Sequence, residues 1–162
     1  MITCTFENGN VASPGLRHIT VNAIVIKDNQ VLMGLRAPVK KLIMLETGKW
    51  ALIGGFFDRD ETLIEALKRE VMEESGWEVD NVQLFRLNDF PGRPMEDRQN
   101  VDMIFIARAV KQTGLHDHEI KEIKWFSLDA LPPADQIAFD HGEDLDLYKK
   151  HLKNPQKLPI LG

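Results

Sequence analysis

Residues 54–77 read GGFFDRDETLIEALKREVMEESGW and contain the strongest local signal in the chain. Thr62 and Glu65 have the spacing of a capping box, in which a hydroxyl and a carboxylate satisfy the free backbone amides at the start of a helix. Apolar residues then recur at helical spacing, and Gly76 stands where a C-terminal cap is expected. The pattern predicts a helix over about residues 62–75.

Three glutamates in this helix, Glu70, Glu73 and Glu74, have spacings that place them on one face. Like charges at these spacings repel each other, and the C-terminal end of a helix prefers cations to carboxylates. A bound divalent cation would remove both penalties, and Gly54-Gly55 would let the backbone approach it or offer a carbonyl. A solvated acidic face is the alternative for the glutamates alone, but their surroundings favour a metal site.

Length and charge restrict the class of protein. The 162 residues suffice for one domain with a core, and a net charge of −5 argues against a protein that wraps a polyanion. The N-terminal sequence lacks a secretory pattern, and no apolar run reaches the ~18 residues of a membrane span. A single cysteine, Cys4, cannot form an internal disulfide. We expect a cytoplasmic protein that binds small molecules rather than nucleic acid or membrane.

The remaining pattern alternates strands with helices. A hairpin is predicted from two alternating runs around Asp28-Asn29, and KWALIGG, at 49–55, is a short apolar run stopped by two glycines. Pro132-Pro133 precedes a predicted terminal helix over about 136–152. Strands mixed with two helices indicate an α/β layered domain with a mixed sheet. The predicted strands cover 19–25, 31–35, 82–87, 101–110 and 122–128.

The segment from Gly55 to Trp77 resembles the signature of the Nudix (MutT-like) hydrolases. Ile53 departs from the family, where proline is common, and an aliphatic residue is more usual than Trp77. The resemblance extends over about residues 18–152 and implies a single Nudix domain spanning 1–162, an α/β/α sandwich with a mixed sheet between helices. The signature positions are Gly55, Glu61, Arg69, Glu70, Val71, Glu73, Glu74, Gly76 and Trp77.

The resemblance implies hydrolysis of a nucleoside diphosphate linked to another group, with Mg²⁺ or Mn²⁺ as cofactor. Metal ions neutralise the charge that shields a diphosphate and polarise its phosphoryl oxygens. Arg69 is expected in the catalytic set, where it supports the loop and helix together with Glu61, Gly55 and Gly76. By the family pattern, the metal is held by Glu70, Glu73, Glu74 and the carbonyl of Gly54.

Two residues are candidates for the general base, one an acid of the signature and the other an acid of a later loop. Glu70 is the first possibility, and Glu119 in HDHEIKE is the loop candidate, with Glu122 second. His116 and His118 in the same loop superficially suggest zinc. Two loop histidines without cysteine partners are poor candidates for a zinc site.

Two further stretches resemble ADP-ribose pyrophosphatase-like members of the family, FPGRPMEDRQNVDMIFIA and LPPADQIAFDHGEDL. ADP-ribose, or a related dinucleotide or nucleotide sugar, is therefore the preferred substrate. Arg36, Arg93 and Arg98 are expected to bind it, the latter two through phosphate or ribose oxygens. Phe57 or Phe90 could stack on a base, although phenylalanine more often belongs to a core.

Other functions are possible on the same fold. A nucleotide-sensing domain and a hydrolase of (d)NTPs are the alternatives, but the complete signature favours catalysis. Isomerisation of a prenyl diphosphate would need a cysteine in the core, whereas Cys4 lies near the N-terminus. Asp140-His141 is expected to be the structural start of a helix rather than a catalytic pair. A homodimer is possible, since dimers are common in the family.

Overall fold

The computed structural model describes residues 17–38, 46–92 and 100–162. Within these ranges the chain forms two α-helices and a mixed sheet, and neither helix is long and apolar enough to cross a membrane. In chain order the elements are β1 (Ile19–Lys27), β2 (Gln30–Arg36), β3 (Trp50–Ala51), β4 (Ile53–Phe56), α1 (Leu63–Ser75), β5 (Trp77–Asn88), β6 (Val101–Gln112), β7 (Ile120–Ser127), α2 (His141–Lys153) and β8 (Ile160–Leu161).

Strand β1 organises the sheet because it pairs with three neighbours. It runs parallel to β6 along one edge and antiparallel to β4 and β2 along the other. Outward from these, β5 pairs with β6 and β8 with β5, whereas β3 and β7 pair with β2. The sheet is therefore mixed, as the sequence predicts.

The side chains of the sheet form two cores, one on each face. Ala23 and Val25 belong to the cluster that includes Leu67 of α1, whereas Ile24 belongs to the cluster that includes Leu145 of α2. Alternation along a strand sends neighbouring side chains to opposite faces, so both faces of β1 are buried. One helix covers each face, and the predicted α/β/α sandwich is confirmed.

Helix α1 is confirmed with its predicted cap residues, whereas two strand predictions are wrong. Strand β5 begins at Trp77 rather than 82, because Trp77 and Val79 are buried in the core. Gly54 and Gly55 do not stop a strand but lie within β4, where they pair with β1. Strand β8 was not predicted from the sequence.

The predicted start of the terminal helix at about 136 is also wrong. Residues Ala134–Gln136 form a 3₁₀ turn, and α2 begins five residues after Gln136, at His141, with Asp140 in the N-cap position. The backbone N–H of Ala138 donates to the carbonyl of Trp50 at 2.8 Å, which holds the intervening segment against β3. Asp140-His141 is thus a helix start, as expected.

Candidate active site

Helix α1 is fixed at both ends by local contacts. Thr62 N donates to Glu65 Oε2 at 2.8 Å, and Glu65 N donates to Thr62 Oγ1 at 3.3 Å, which completes the capping box. The helix ends at Gly76, whose φ of 69° is left-handed and whose N–H donates to Met72 O. A side chain there would lie 2.1 Å from the carbonyl oxygen of Gly114. Glycine is required by both conformation and space.

The two glycines of β4 let its backbone contact the carboxylates of α1. Gly54 N donates to Glu74 Oε2 at 3.0 Å. A Cβ on Gly54 would lie 2.0 Å from Val21 O, and one on Gly55 would lie 2.7 Å from the Glu70 carboxylate. A larger residue at position 55 would push the strand away from Glu70 of α1, and one at position 54 would push β4 away from β1. The glycines therefore keep Glu70 and Glu74 beside the β4 backbone.

Arg69 joins the helix, the loop before it and β4. Its guanidinium donates two hydrogen bonds to Glu61, of 2.7 and 3.0 Å, and one to the backbone carbonyl of Phe56 at 3.1 Å. It also donates to Glu70 Oε1 at 2.8 Å and to Glu73 Oε2 at 3.2 Å. The hydrogen bonds with Glu61 raise the pKa of Arg69 and lower the pKa of Glu61. A planar, always charged fork suits this bridging position.

The glutamates differ strongly in burial. Glu74 is only 7% exposed, and burial raises its pKa to about 8, despite the backbone hydrogen bond and nearby Arg36. Glu70 and Asp117 raise this pKa further, and burial also raises the pKa of Glu70. Glu73 is 53% exposed. Hard divalent cations bind carboxylate and carbonyl oxygens, and a positive charge here would stabilise the ionised Glu74. The residues therefore fit the expected metal.

The loop before β7 brings acids to the C-terminal end of α1. Asp117 N donates to the carbonyl of Glu73 at 3.0 Å, and Asp117 Oδ1 accepts from Glu119 N at 2.9 Å. Glu119 lies close enough to raise the pKa of Glu70 electrostatically. Asp117 was not predicted from the sequence, and no local pattern would have identified it. Glu122 lies on β7, exposed and opposite Leu35.

Arg36, at the end of β2, faces the same carboxylates. Burial lowers the pKa of its guanidinium, and the charges of Glu74 and Glu119 act in the opposite direction. The ring of Phe139 lies 5.1 Å from this guanidinium. Phe57, one of the two predicted stacking residues, is partly buried and packs against the core cluster of α1. Phe139 is thus an aromatic residue of the site that the sequence did not indicate.

The other residues singled out in the sequence lie in loops or outside the described residues. His116 and His118 are exposed in the loop before β7, where His116 contacts the backbone of Asp117. Phe90 is 58% exposed. The predicted substrate residues Arg93 and Arg98 lie outside the described residues, as does Cys4.

In this sandwich the glutamates of α1 lie against a glycine pair of β4. This arrangement is typical of one class of protein, the hydrolases that cleave phosphate anhydrides with a divalent cation. The chain matches the NUDIX domain over residues 16–147. It belongs to the Nudix hydrolase family, pyrophosphatases that act on nucleoside diphosphate derivatives and generally use a divalent metal.

Characterised relatives have several substrates. The chain is 29% identical over 132 residues to an ADP-ribose pyrophosphatase of Methanocaldococcus jannaschii, which covers 82% of this chain and 73% of the relative. It is 30% identical over 115 residues to the NAD-capped RNA hydrolase NudC of Vibrio atlanticus, which covers 70% of this chain and 39% of that longer protein. It is 31% identical over 112 residues to the oxidized purine nucleoside triphosphate hydrolase of Mus musculus, covering 69% and 67%.

Solved structures share the fold. A Nudix hydrolase from Nitrosomonas europaea superposes with a TM-score of 0.76 at 23% identity, covering 99% of this chain and 92% of that one. An ADP-ribose pyrophosphatase from Streptococcus suis superposes with a TM-score of 0.70 at 19% identity, covering 91% and 100%.

Proposed function

We propose that this protein hydrolyses the pyrophosphate bond of ADP-ribose, or of a related dinucleotide or nucleotide sugar. The similarity to the ADP-ribose pyrophosphatase of M. jannaschii supports this substrate class. The observation that carries the reaction is the contact of Glu70 and Glu74 with the Gly54-Gly55 backbone, which gathers hard oxygen donors at one point. Cleavage of ADP-ribose would add water to one phosphorus atom, break the bond to the bridging oxygen and give AMP and ribose 5-phosphate.

The metal would be Mg²⁺ or Mn²⁺, held by Glu70, Glu73, Glu74 and the carbonyl of Gly54. When bound, such an ion neutralises phosphate charge and polarises a phosphoryl oxygen. Arg69 orients this set, because its hydrogen bonds reach two of the glutamates at 2.8 and 3.2 Å while Glu61 anchors its other edge. Arg69 and Glu61 therefore support the donors rather than bind the ion.

Glu119 is our assignment for the base that accepts the proton of the attacking water. Its backbone is fixed by Asp117, and its charge acts on both Glu70 and Arg36. Glu70 is the alternative base, although Arg69 occupies one of its oxygens. Glu119→Gln should lower kcat by about 10²-fold or more, because positioned bases contribute this much. Glu122→Gln, on the exposed face of β7, is the matched control and should remain close to wild type.

Arg36 is our assignment for the side chain that binds the substrate phosphates. It is half-buried, and it lies among the carboxylates that would hold the metal. The roles of Arg93, Arg98 and Phe57 in substrate binding stay predictions. A homodimer, a cytoplasmic location and the exclusion of nucleic acid from the substrates also stay predictions.

A substrate panel tests the proposal. ADP-ribose, NADH, nucleotide sugars, diadenosine polyphosphates and an oxidised dNTP are each incubated with the protein and Mg²⁺, and the products are quantified. ADP-ribose should give AMP and ribose 5-phosphate at the highest kcat/KM. Glu73→Gln should lose orders of magnitude in rate, whereas Glu143→Gln, an exposed glutamate of α2, should not.

The outcomes separate the candidates. If the oxidised dNTP is cleaved much faster than ADP-ribose, the substrate assignment is wrong, but the reaction is still the hydrolysis of a pyrophosphate bond. Tight binding of ADP-ribose without product would indicate a nucleotide sensor.

A further inference from the structure

Leu52 occupies a break in the sheet beside the active site. It lies between β3, which pairs with β2, and β4, which pairs with β1, so the chain changes neighbours at this residue. Its backbone N–H donates to Nδ1 of His141 at 3.0 Å, across 89 positions of sequence. Two residues later, the N–H of Gly54 donates to Glu74. The short segment that leads to the Gly54 carbonyl is therefore held at both ends by side chains.

The hydrogen bond from Leu52 determines the tautomer of His141. A ring nitrogen that accepts a hydrogen bond carries no proton, so the proton of the neutral ring is on Nε2. One ring nitrogen lies within 4.8 Å of an oxygen of Asp102 and of Asp140, a composition that could suggest a metal centre. Neither nitrogen offers a lone pair to a cation, because one is engaged by Leu52 and the other is protonated. His141 therefore acts as a hydrogen-bonding group.

The two carboxylates near His141 are themselves anchored to the sheet. Asp140 Oδ2 accepts from Asn88 Nδ2 at 2.6 Å, and Asp102 Oδ1 accepts from Asn22 Nδ2 at 2.8 Å. Asn22 is the residue of β1 that pairs with Gly54. Asp102, Asp140 and His141 thus form a buried polar cluster at the start of α2. This cluster is linked to the active-site strand β4 by two contacts, one through Leu52 and one through Asn22.

Phe139, immediately before this cluster, has a φ of +52°, a conformation that bulky residues rarely adopt. Such conformations persist where the surroundings over-determine them, and they are common at functional sites. Here the neighbouring Ala138 is bound to Trp50, and the Phe139 ring contacts the His141 ring at 5.5 Å. The same ring lies against the guanidinium of Arg36, 5.1 Å away.

We propose that Phe139, Asp140 and His141, which we name the α2 corner, form a positioning element for the active site. His141 fixes the segment 52–54 so that the Gly54 carbonyl stands beside the glutamates of α1. Phe139 fixes the Arg36 guanidinium toward the substrate phosphates. The proposal rests on the proposed function, because it assigns the corner to the same site.

Two substitutions of His141 test the hydrogen bond that its Nδ1 accepts from Leu52. Asparagine places an acceptor near the position of Nδ1, whereas glutamine places a donor near the position of Nε2. The Kd for Mn²⁺ is measured without substrate, by the electron paramagnetic resonance of free Mn²⁺. We expect His141→Gln to weaken binding by about tenfold and His141→Asn by no more than about threefold. Hydrogen exchange of the Leu52 amide should be faster in His141→Gln alone.

The two readouts decide the role of His141. Faster Leu52 exchange with unchanged Mn²⁺ affinity in His141→Gln would overturn the proposal, as would equal loss of affinity in both variants. This measurement needs no substrate. If the wild-type protein does not cleave ADP-ribose, the substrate assignment fails while the Mn²⁺ titration still decides the role of the corner.

Phe139 provides an independent variant, because its side chain makes none of the hydrogen bonds of the buried cluster. With ADP-ribose as the probe, Phe139→Ala should raise KM about fivefold and keep kcat within about twofold, since a cation–π contact contributes modestly. In an Arg36→Met background the same substitution should have no further effect on KM. Additive effects of the two substitutions would contradict a positioning role for Phe139.

Discussion

Glu74→Gln should stabilise the metal-free protein and weaken metal binding at the same time. Glu74 is buried, and its pKa is raised from 4.5 to about 8. At pH 7 the carboxyl is ionised in the unfolded chain but mostly protonated in the folded protein. Each pH unit between its ordinary pKa and pH 7 lowers the free energy of unfolding by about 1.4 kcal/mol, which gives about 3 kcal/mol in total. A neutral amide of the same shape avoids most of this cost and can still accept the hydrogen bond from Gly54.

The sign of the pH dependence follows from the raised pKa. Between about pH 4.5 and 8 the folded protein binds more protons at Glu74 than the unfolded chain does, so wild-type stability falls as pH rises through this window. Glu74→Gln removes that contribution. The stability difference between the variant and wild type should therefore be small near pH 4.5, grow with pH and level off above about pH 8.

Chemical denaturation in the presence of a chelator, from pH 5 to 8.5, measures this difference. Glu73→Gln is the matched control, because Glu73 is 53% exposed and its substitution should change stability by no more than about 0.5 kcal/mol. Added Mn²⁺ should stabilise wild type more than either variant, since a ligand that binds only the folded state raises its stability. A pH-independent difference, or a Glu74→Gln protein less stable than wild type at pH 8, would refute the reasoning.

Two further substitutions test other contacts. Arg69→Lys should lower kcat by about 10²-fold with little change in stability, because lysine cannot form the two hydrogen bonds to Glu61 or orient the glutamates; a rate within threefold of wild type would contradict this. Arg86→Met should destabilise the protein by about 3–5 kcal/mol, because it leaves the Asp144 carboxylate, 2.7 Å away, unpaired in the core. Asp144→Asn should reduce the free energy of unfolding much less, since burial raises the pKa of Asp144 to about 7. Equal losses of stability in the two variants, measured by urea denaturation, would contradict the account.

Local features of the active-site helix were predictable from the sequence. The caps of α1 involve Thr62, Glu65 and Gly76, each within four residues of its partner, so their spacing is visible in the chain. The alignment of Glu70 and Glu74 on one face follows from the helical period alone. Both predictions were confirmed because neither depends on distant contacts.

Long-range contacts explain what the sequence did not show. Gly54-Gly55 resembled the end of a strand because glycine weakens strands, yet β1 supplies partners that keep both residues in β4. The hydrogen bond between Leu52 and His141 spans 89 positions, which no periodicity records. The true start of α2 and the position of Phe139 depend on the same distant contacts.

The central claim is that the glutamates of α1 and the Gly54 carbonyl together hold the divalent ion that the reaction needs. Anomalous X-ray diffraction from crystals soaked in MnCl₂ tests it most directly, because the manganese signal locates the ion independently of activity. We predict a manganese peak bounded by Glu70, Glu73, Glu74 and Gly54 that disappears in Glu74→Gln crystals. A manganese peak confined to another part of the protein would contradict the account. So would the lack of a peak beside these glutamates in crystals that cleave ADP-ribose.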